Sequence, residues 1–171
     1  MKGLAIYYAD QCDKKKCTSV RIYANRSKLS FPLYWITNKK KIRKKSLILS
    51  PSGSLLLPSD RNIVDKYGMT VLDCSWKKND PILDENFQNK RCLPKLLAGN
   101  PVNYGKWDFL SSMEAVSASL YILGYTKLTS EILDILTWGK SFFDLNKELL
   151  DAYSEVTSDS DYKQIWEDFF P

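Results

Sequence analysis

Residues 46–73 read SLILSPSGSLLLPSDRNIVDKYGMTVLD, and this stretch decides the fold. Its two ends, Ser46 to Leu49 and Met69 to Leu72, are short apolar runs that break off into Ser50-Pro51 and Asp73. Runs of this kind suit strands buried in a sheet. Between them Ser59-Asp60 offers a cap for a short helix over Arg61 to Tyr67, and Gly68 ends it. Strand, helix and strand at this spacing predict a parallel α/β layer. Working outward, Gly3 to Ala9 (GLAIYYA) predicts a buried first strand bounded by Asp10. The polar turn DQCDKKKCT, Asp10 to Thr18, leads into a helix near Ser19 to Arg26. A further strand is predicted at Leu93 to Ala98.

The chain changes character near Leu110. Ser111 and Glu114 form a capping-box pattern, and Met113, Val116, Leu120 and Leu123 follow at helical spacing until Gly124. Ile132, Leu133 and Leu136 mark a second helix, Phe142, Leu145, Leu149 and Tyr153 a third, and Asp161 to Phe170 a fourth. Charge divides at the same place. Residues 1–109 hold 21 Lys/Arg against 9 Asp/Glu, a net +12, whereas residues 110–171 hold 4 Lys against 11 Asp/Glu, a net −7. Together these make the chain's +5. Two parts are therefore expected: 1–109, basic α/β, and 110–171, acidic and helical.

A basic surface on that scale suggests a polyanion partner, because phosphate attraction dominates sequence-independent nucleic-acid affinity. Lys14, Lys15 and Lys16 are candidate phosphate contacts. So is the block Lys39, Lys40, Lys41, Ile42, Arg43, Lys44, Lys45, with Tyr34 and Trp35 nearby as stacking groups. The bland alternative is a solvated lysine-rich surface. Hydrophobic residues make up 44% of 171, enough for a packed core, and no apolar run reaches the roughly 18 residues of a membrane span. The first thirty residues lack a secretory pattern, so a cytoplasmic protein is expected.

The chain has no histidine, which excludes Ser-His-Asp and Cys-His nucleophile pairs and histidine zinc sites. Catalysis must rest on carboxylates, backbone dipoles or an activated cofactor. Cys12, Cys17, Cys74 and Cys92 are unevenly spaced and read as reduced thiols rather than a metal site. Asp73-Cys74-Ser75-Trp76 follows the strand at Met69, and in parallel sheets ligands bind beyond the carboxyl ends of strands. Asp73 could hold an ammonium group or accept a proton, and Trp76 could supply a flat apolar wall. Equally, Asp73 could cap a helix and Trp76 could pack in the core. Asn100-Pro101-Val102-Asn103-Tyr104-Gly105 fixes unusual backbone and could aim at a ligand or simply turn the chain.

Taken in order, DQCDKKKCT, LSP at Leu49 to Pro51, LPSD at Leu57 to Asp60, LDCSW at Leu72 to Trp76, LPKLLAGNPVNYG at Leu93 to Gly105, LSSMEA at Leu110 to Ala115 and WGKSFFDLN at Trp138 to Asn146 resemble the small-subunit ribosomal RNA aminocarboxypropyltransferase family. The resemblance spans nearly the whole chain. It implies a SPOUT-like parallel sheet with a trefoil knot, followed by an all-helical C-terminal domain. It also implies transfer of the 3-amino-3-carboxypropyl chain of S-adenosylmethionine to a ring nitrogen of a hypermodified uridine in small-subunit rRNA. Cofactor contacts carried over by motif are Thr18, Leu49, Pro51, Leu72, Asp73, Trp76, Leu93, Asp108, Leu110 and Ser112. Asp73, the candidate catalytic residue, matches the acidic position near the cofactor's amino group, and Trp76 matches a wall near the sulfonium methyl. Asp108 stands where the family often has an aromatic or apolar residue. The partner is the small-subunit rRNA or pre-ribosomal subunit, with no metal and no membrane, and a monomer is expected. The alternatives are a SPOUT-type RNA methyltransferase and a non-catalytic RNA-binding ribosome-assembly factor.

Overall fold

The computed structural model describes residues 1–11, 13–74 and 80–169. Five parallel strands form one sheet, β1 (Leu4–Tyr8), β2 (Leu33–Ile36), β3 (Leu47–Leu55), β4 (Met69–Asp73) and β5 (Lys90–Cys92), in the order β2-β1-β4-β3-β5. Two of the connections step toward β2. They carry α1 (Thr18–Ala24) and α2 (Arg61–Tyr67), whose buried Ile22 and Val64 join the larger core with Leu4, Ile6, Met69 and Val71. The connections from β2 to β3 and from β4 to β5 step the other way. They lay Ile42, Ile82 and Phe87 on the opposite face, against Ala5, Ile48 and Leu72. Right-handed crossovers require this division of the connections between the two faces.

The central prediction holds closely. The helix over Arg61 to Tyr67 is α2, and Gly68 ends it at φ 84°. A Cβ there would lie 2.8 Å from the Gly3 carbonyl oxygen, so only glycine fits beside β1. β3 runs further than its apolar opening, because its pairing with β5 shifts register between Leu49 and Ser54. Gly53, at φ 138°, lets this bulge approach β5, where a Cβ would meet the Lys90 carbonyl oxygen at 2.7 Å. Asp60 and Arg91 tie β5 to the turn before α2 through two hydrogen bonds of 2.8 Å.

Helices follow from residue 112: α3 (Ser112–Ile122), α4 (Thr126–Leu133), α5 (Gly139–Ser154) and α6 (Asp159–Phe169). Nine of the eleven residues of α3 are buried, because it packs against β4, α1, α4 and α5 at once. The larger core therefore runs unbroken from Leu4 in β1 to Tyr162 in α6.

The strand predicted at Leu93 to Ala98 is corrected. The strand here is Lys90–Cys92, and the chain after it is held by an isolated antiparallel bridge between Leu97 and Trp107 on one side and by helix α5 on the other. Pro94 has no donor to offer a ladder. Leu97 donates its N–H to Asn146 Oδ1 at 2.8 Å and accepts from Asn146 Nδ2 at 2.9 Å. Asn146 is fully buried and its amide also donates to the Phe142 carbonyl at 2.8 Å. Replacing Asn146→Ala strands both backbone groups of Leu97, and urea denaturation should show a loss of about 3 kcal/mol. An unchanged midpoint would mean that this segment is held by other contacts.

Candidate functional site

The carboxyl ends of the strands open on one edge of the sheet, where parallel sheets bind ligands. Asp73 is the last residue of β4. Its side chain lies on the helix-covered face, as alternation from Met69 and Val71 dictates. Ser112, the first residue of α3, donates its hydroxyl to Asp73 Oδ1 at 2.6 Å. Cys17, just before α1, donates its thiol to Asp73 Oδ2 at 3.4 Å. A strand end and two helix starts thus meet at one carboxylate.

A cavity of about 340 Å³ adjoins the start of α3, with Leu110 and Ala115 in its wall. Leu49, Pro51, Leu93, Asp108 and Leu110 line it, so five of the residues expected from sequence come together. The bulge in β3 brings Pro51 to the rim. Asp108 has φ 63°, and its N–H is held by the Leu96 carbonyl at 3.0 Å. Aspartate is among the few residues that enter this left-handed region at modest cost, which suits it to this turn. Thr18 is buried at the start of α1, next to Cys17. Leu72 stands apart, since its side chain points into the opposite face with Ile48 and Ile82, leaving only its backbone on the ligand edge. Trp76 lies outside the described residues.

The cavity wall contains residues that the sequence reading did not single out. Trp166 of α6 closes one side, with Lys95 set 5.7 Å from its ring. The indole N–H donates to the Tyr153 hydroxyl at 3.1 Å, and that hydroxyl donates to the Lys95 carbonyl at 3.0 Å. Burial pushes the Tyr153 phenol up to about 12, so it remains a donor at neutral pH. The apolar spacing of Tyr162, Ile165 and Trp166 in α6 was the available signal. Ser50, Cys92 and Ala115 also line the cavity and carried none.

The loop over the cavity is fixed from beneath by Glu114, which is fully buried. Its carboxylate accepts from Gly99 N–H at 2.9 Å, Asn100 Nδ2 at 2.9 Å and Ser111 N–H at 2.7 Å. The predicted capping box is therefore present and extends into the Asn100 to Gly105 loop. Asn100 also accepts from Asn103 N–H at 3.1 Å. The loop's asparagines organise its own backbone.

Of the candidate RNA contacts, Lys14, Lys15 and Lys16 are exposed in the turn beyond β1. The 39–45 block is not one patch. It joins β2 to the parallel strand β3, so it must run from one end of the sheet to the other. Lys39 pairs with Glu85 at 2.8 Å near the ligand edge, Arg43 lies over Tyr34 at 4.8 Å, and Lys45 lies over Tyr67 at 5.9 Å. That pairing raises Lys39 above the usual lysine range and lowers Glu85.

Comparison with known proteins finds the family described as "Ribosome biogenesis protein, C-terminal" matching residues 47–170. The chain is 38% identical over 169 residues to the 16S rRNA aminocarboxypropyltransferase of Methanothermobacter thermautotrophicus, covering 97% of each. It is 39% identical over 171 residues to the enzyme of the same name in Methanocaldococcus jannaschii, covering 99% of this chain and 96% of the relative. Among solved structures, the SAM-dependent rRNA:acp-transferase from Vulcanisaeta distributa is similar with a TM-score of 0.81 at 30% identity, over 98% of this chain and 97% of that one.

Cys74 follows Asp73 directly, and burial, then Asp80 and Asp73, push its thiol up to about 12. Thiolate is the reactive form, so at pH 8 iodoacetamide should modify Cys74 in the folded protein at least about a hundredfold more slowly than in urea. Mass spectrometry of the alkylated peptides reads this directly. Equal rates would mean the thiol is not shielded.

Proposed function

The chain belongs to the 16S rRNA aminocarboxypropyltransferase family, and on that premise we propose roles for its residues. It is a transferase of ribosome biogenesis that takes the aminocarboxypropyl group from S-adenosylmethionine and delivers it to small-subunit rRNA. The single observation that carries the assignment of the site is the Asp73 carboxylate, pinned by Cys17 and by Ser112, which lies in the chain between the cavity residues Leu110 and Ala115.

The cavity fits the cofactor in size and in chemistry. Leu49, Pro51, Leu93 and Leu110 give apolar walls for adenine and thioether, Asp108 contributes its backbone, and Thr18 lies beside the tail end with Asp73. Trp76 keeps the role near the sulfonium methyl that the resemblance implies. S-adenosylmethionine supplies a sulfonium whose three attached carbons are each activated toward a nucleophile, so the product depends on which carbon is presented. Asp73 makes that choice by holding the ammonium of the tail. Its two oxygens already accept from Ser112 and Cys17, which sets the carboxylate as a fixed anchor. The acceptor's ring nitrogen forms the new C–N bond as the C–S bond breaks. The electron pair of that bond passes to sulfur, the ring proton to water, and methylthioadenosine leaves. No histidine is needed, because orientation does the work.

We extend the reading to the trefoil-knotted, SPOUT-like topology, supported by the return of the chain after β5 to set α3 against β4. The basic residues 1–109 take the RNA and most of the cofactor, and the acidic helical residues 110–171 close the adenine side. The protein acts as a cytoplasmic monomer. Among the described residues no helix is long and apolar enough to cross a membrane, and α3 is covered by other parts of the same chain.

Incubation with small-subunit RNA and S-adenosylmethionine labelled in the carboxyl group should label the RNA, whereas methyl label should appear in methylthioadenosine. Methyl label alone entering RNA, with S-adenosylhomocysteine released, would identify a methyltransferase instead. Asp73→Asn should weaken cofactor binding tenfold or more by calorimetry. Replacing Lys40, Lys41 and Lys44 by Gln, all exposed, should weaken RNA binding and reduce the slope of log affinity against log salt by about 2 to 3, with cofactor affinity intact. An unchanged slope would move the RNA surface elsewhere.

A further inference from the structure

A second cleft, of about 460 Å³, opens on the same edge of the sheet, beyond the carboxyl ends of β1 and β2. Tyr7, Tyr8, Asp10, Lys14, Trp35 and Thr37 line it. Three aromatic rings are stacked at its side. Trp35 lies between Tyr8 and Tyr23, with both centroid separations 4.7 Å and interplanar tilts of 35° and 38°. Arg26 covers the outer face of Tyr23 at 4.6 Å. The turn above is held in place, since Tyr8 donates its hydroxyl to Asp10 Oδ1 at 2.9 Å and Asp10 turns the chain at φ 54°. Lys14 reaches the same Asp10 carboxylate at 3.6 Å. Lys15 and Lys16 follow on the turn, and Lys40 and Lys41 lie just past β2.

Strand order relates this cleft to the cofactor cavity. The cavity is built on β3 and β5, the cleft on β1 and β2, and β4 with Asp73 stands between them. Tyr8 is in register with Asp73, and the N–H of Ala9, a cleft residue, donates to the Asp73 carbonyl at 3.2 Å. Two ligands entering these spaces would meet at Asp73 from opposite sides of one strand.

We propose that the Tyr8–Trp35 cleft receives the acceptor nucleotide, a pyrimidine unstacked from single-stranded rRNA and laid against the half-buried Trp35, whose ring Tyr8 and Tyr23 hold in place. This rests on the transferase reading above and adds where the second substrate binds. Single-stranded RNA is held by aromatic stacking of its bases together with cations along its backbone, and the cleft joins both. Lys14 to Lys16 and Lys40 to Lys41 track phosphates on either side of the opening. Thr37, on the same face as Trp35, offers its hydroxyl to one of the carbonyls that flank the reacting ring nitrogen. The nitrogen then points along the sheet edge toward the tail held at Asp73.

The test uses the full-length protein and a small-subunit rRNA fragment. Trp35→Ala should keep its cofactor affinity within twofold by calorimetry while kcat/KM for the RNA falls tenfold or more, and Trp35→Phe should restore most of it. Independently of any turnover, wild-type protein irradiated with the same RNA carrying 5-iodouridine at its uridines should cross-link through Trp35, Tyr8 or Tyr23. An RNA kcat/KM in Trp35→Ala equal to wild type, or cross-links confined to other regions, overturns the assignment of the cleft. Failure of wild-type protein to transfer carboxyl label would overturn the transferase reading itself, while cross-linking still decides whether RNA bases enter the cleft. If Trp35→Ala does not fold, the wild-type cross-links alone decide it.

Discussion

A buried carboxylate under the loop between β5 and α3 is the constraint on which the site depends. Glu114 accepts hydrogen bonds from Gly99, Asn100 and Ser111, joining three points of a chain that would otherwise cross the sheet edge as an open loop. An unpaired charge at that depth would be strongly destabilising, so the loop must close around it. The closure fixes where α3 begins. With α3 in place, Ser112 reaches Asp73 and Leu110 reaches the cavity. The contact of α3 with Asp73 and the cavity wall at Leu110 thus both depend on one glutamate that belongs to neither.

Much of this was legible in sequence because it is local. The strand, helix and strand over residues 46–73 announced themselves through apolar runs, a cap and Gly68, and the capping box of Ser111 and Glu114 stands as read. Five of the positions that the motif resemblance offered for the cofactor line one cavity. What sequence could not supply was long-range. The strand expected at Leu93 to Ala98 has the composition of one, but Asn146, 49 positions from Leu97, takes the backbone bonds of Leu97, and only an isolated bridge to Trp107 remains of a ladder. Trp166 enters the wall only because Tyr153 and Tyr162 bring α6 back over β3 and β5, through bonds to the carbonyls of Lys95 and Leu56. The block at residues 39–45 looks like one patch in sequence, yet a link between parallel strands has to span the sheet.

The charge division at residue 110 is therefore not a division of the site. The basic part offers the edge that attracts a polyanion, and the acidic part buries its apolar faces in a core common to both. Their meeting line passes through the cavity, with Leu93 and Lys95 on one side and Leu110, Ala115 and Trp166 on the other. On the proposed reading, repulsion between the acidic helices and phosphate favours RNA approach over the basic part.

The position of Trp166 also sets a timetable for the molecule as it is made. The cavity wall begins at Leu49 and is completed by a helix that starts at Asp159, so the cavity closes only after distant parts of the chain have met. Contacts of such sequence separation form late and slowly. A chain that stops short of α6 lacks Trp166 and leaves the cavity open on that side.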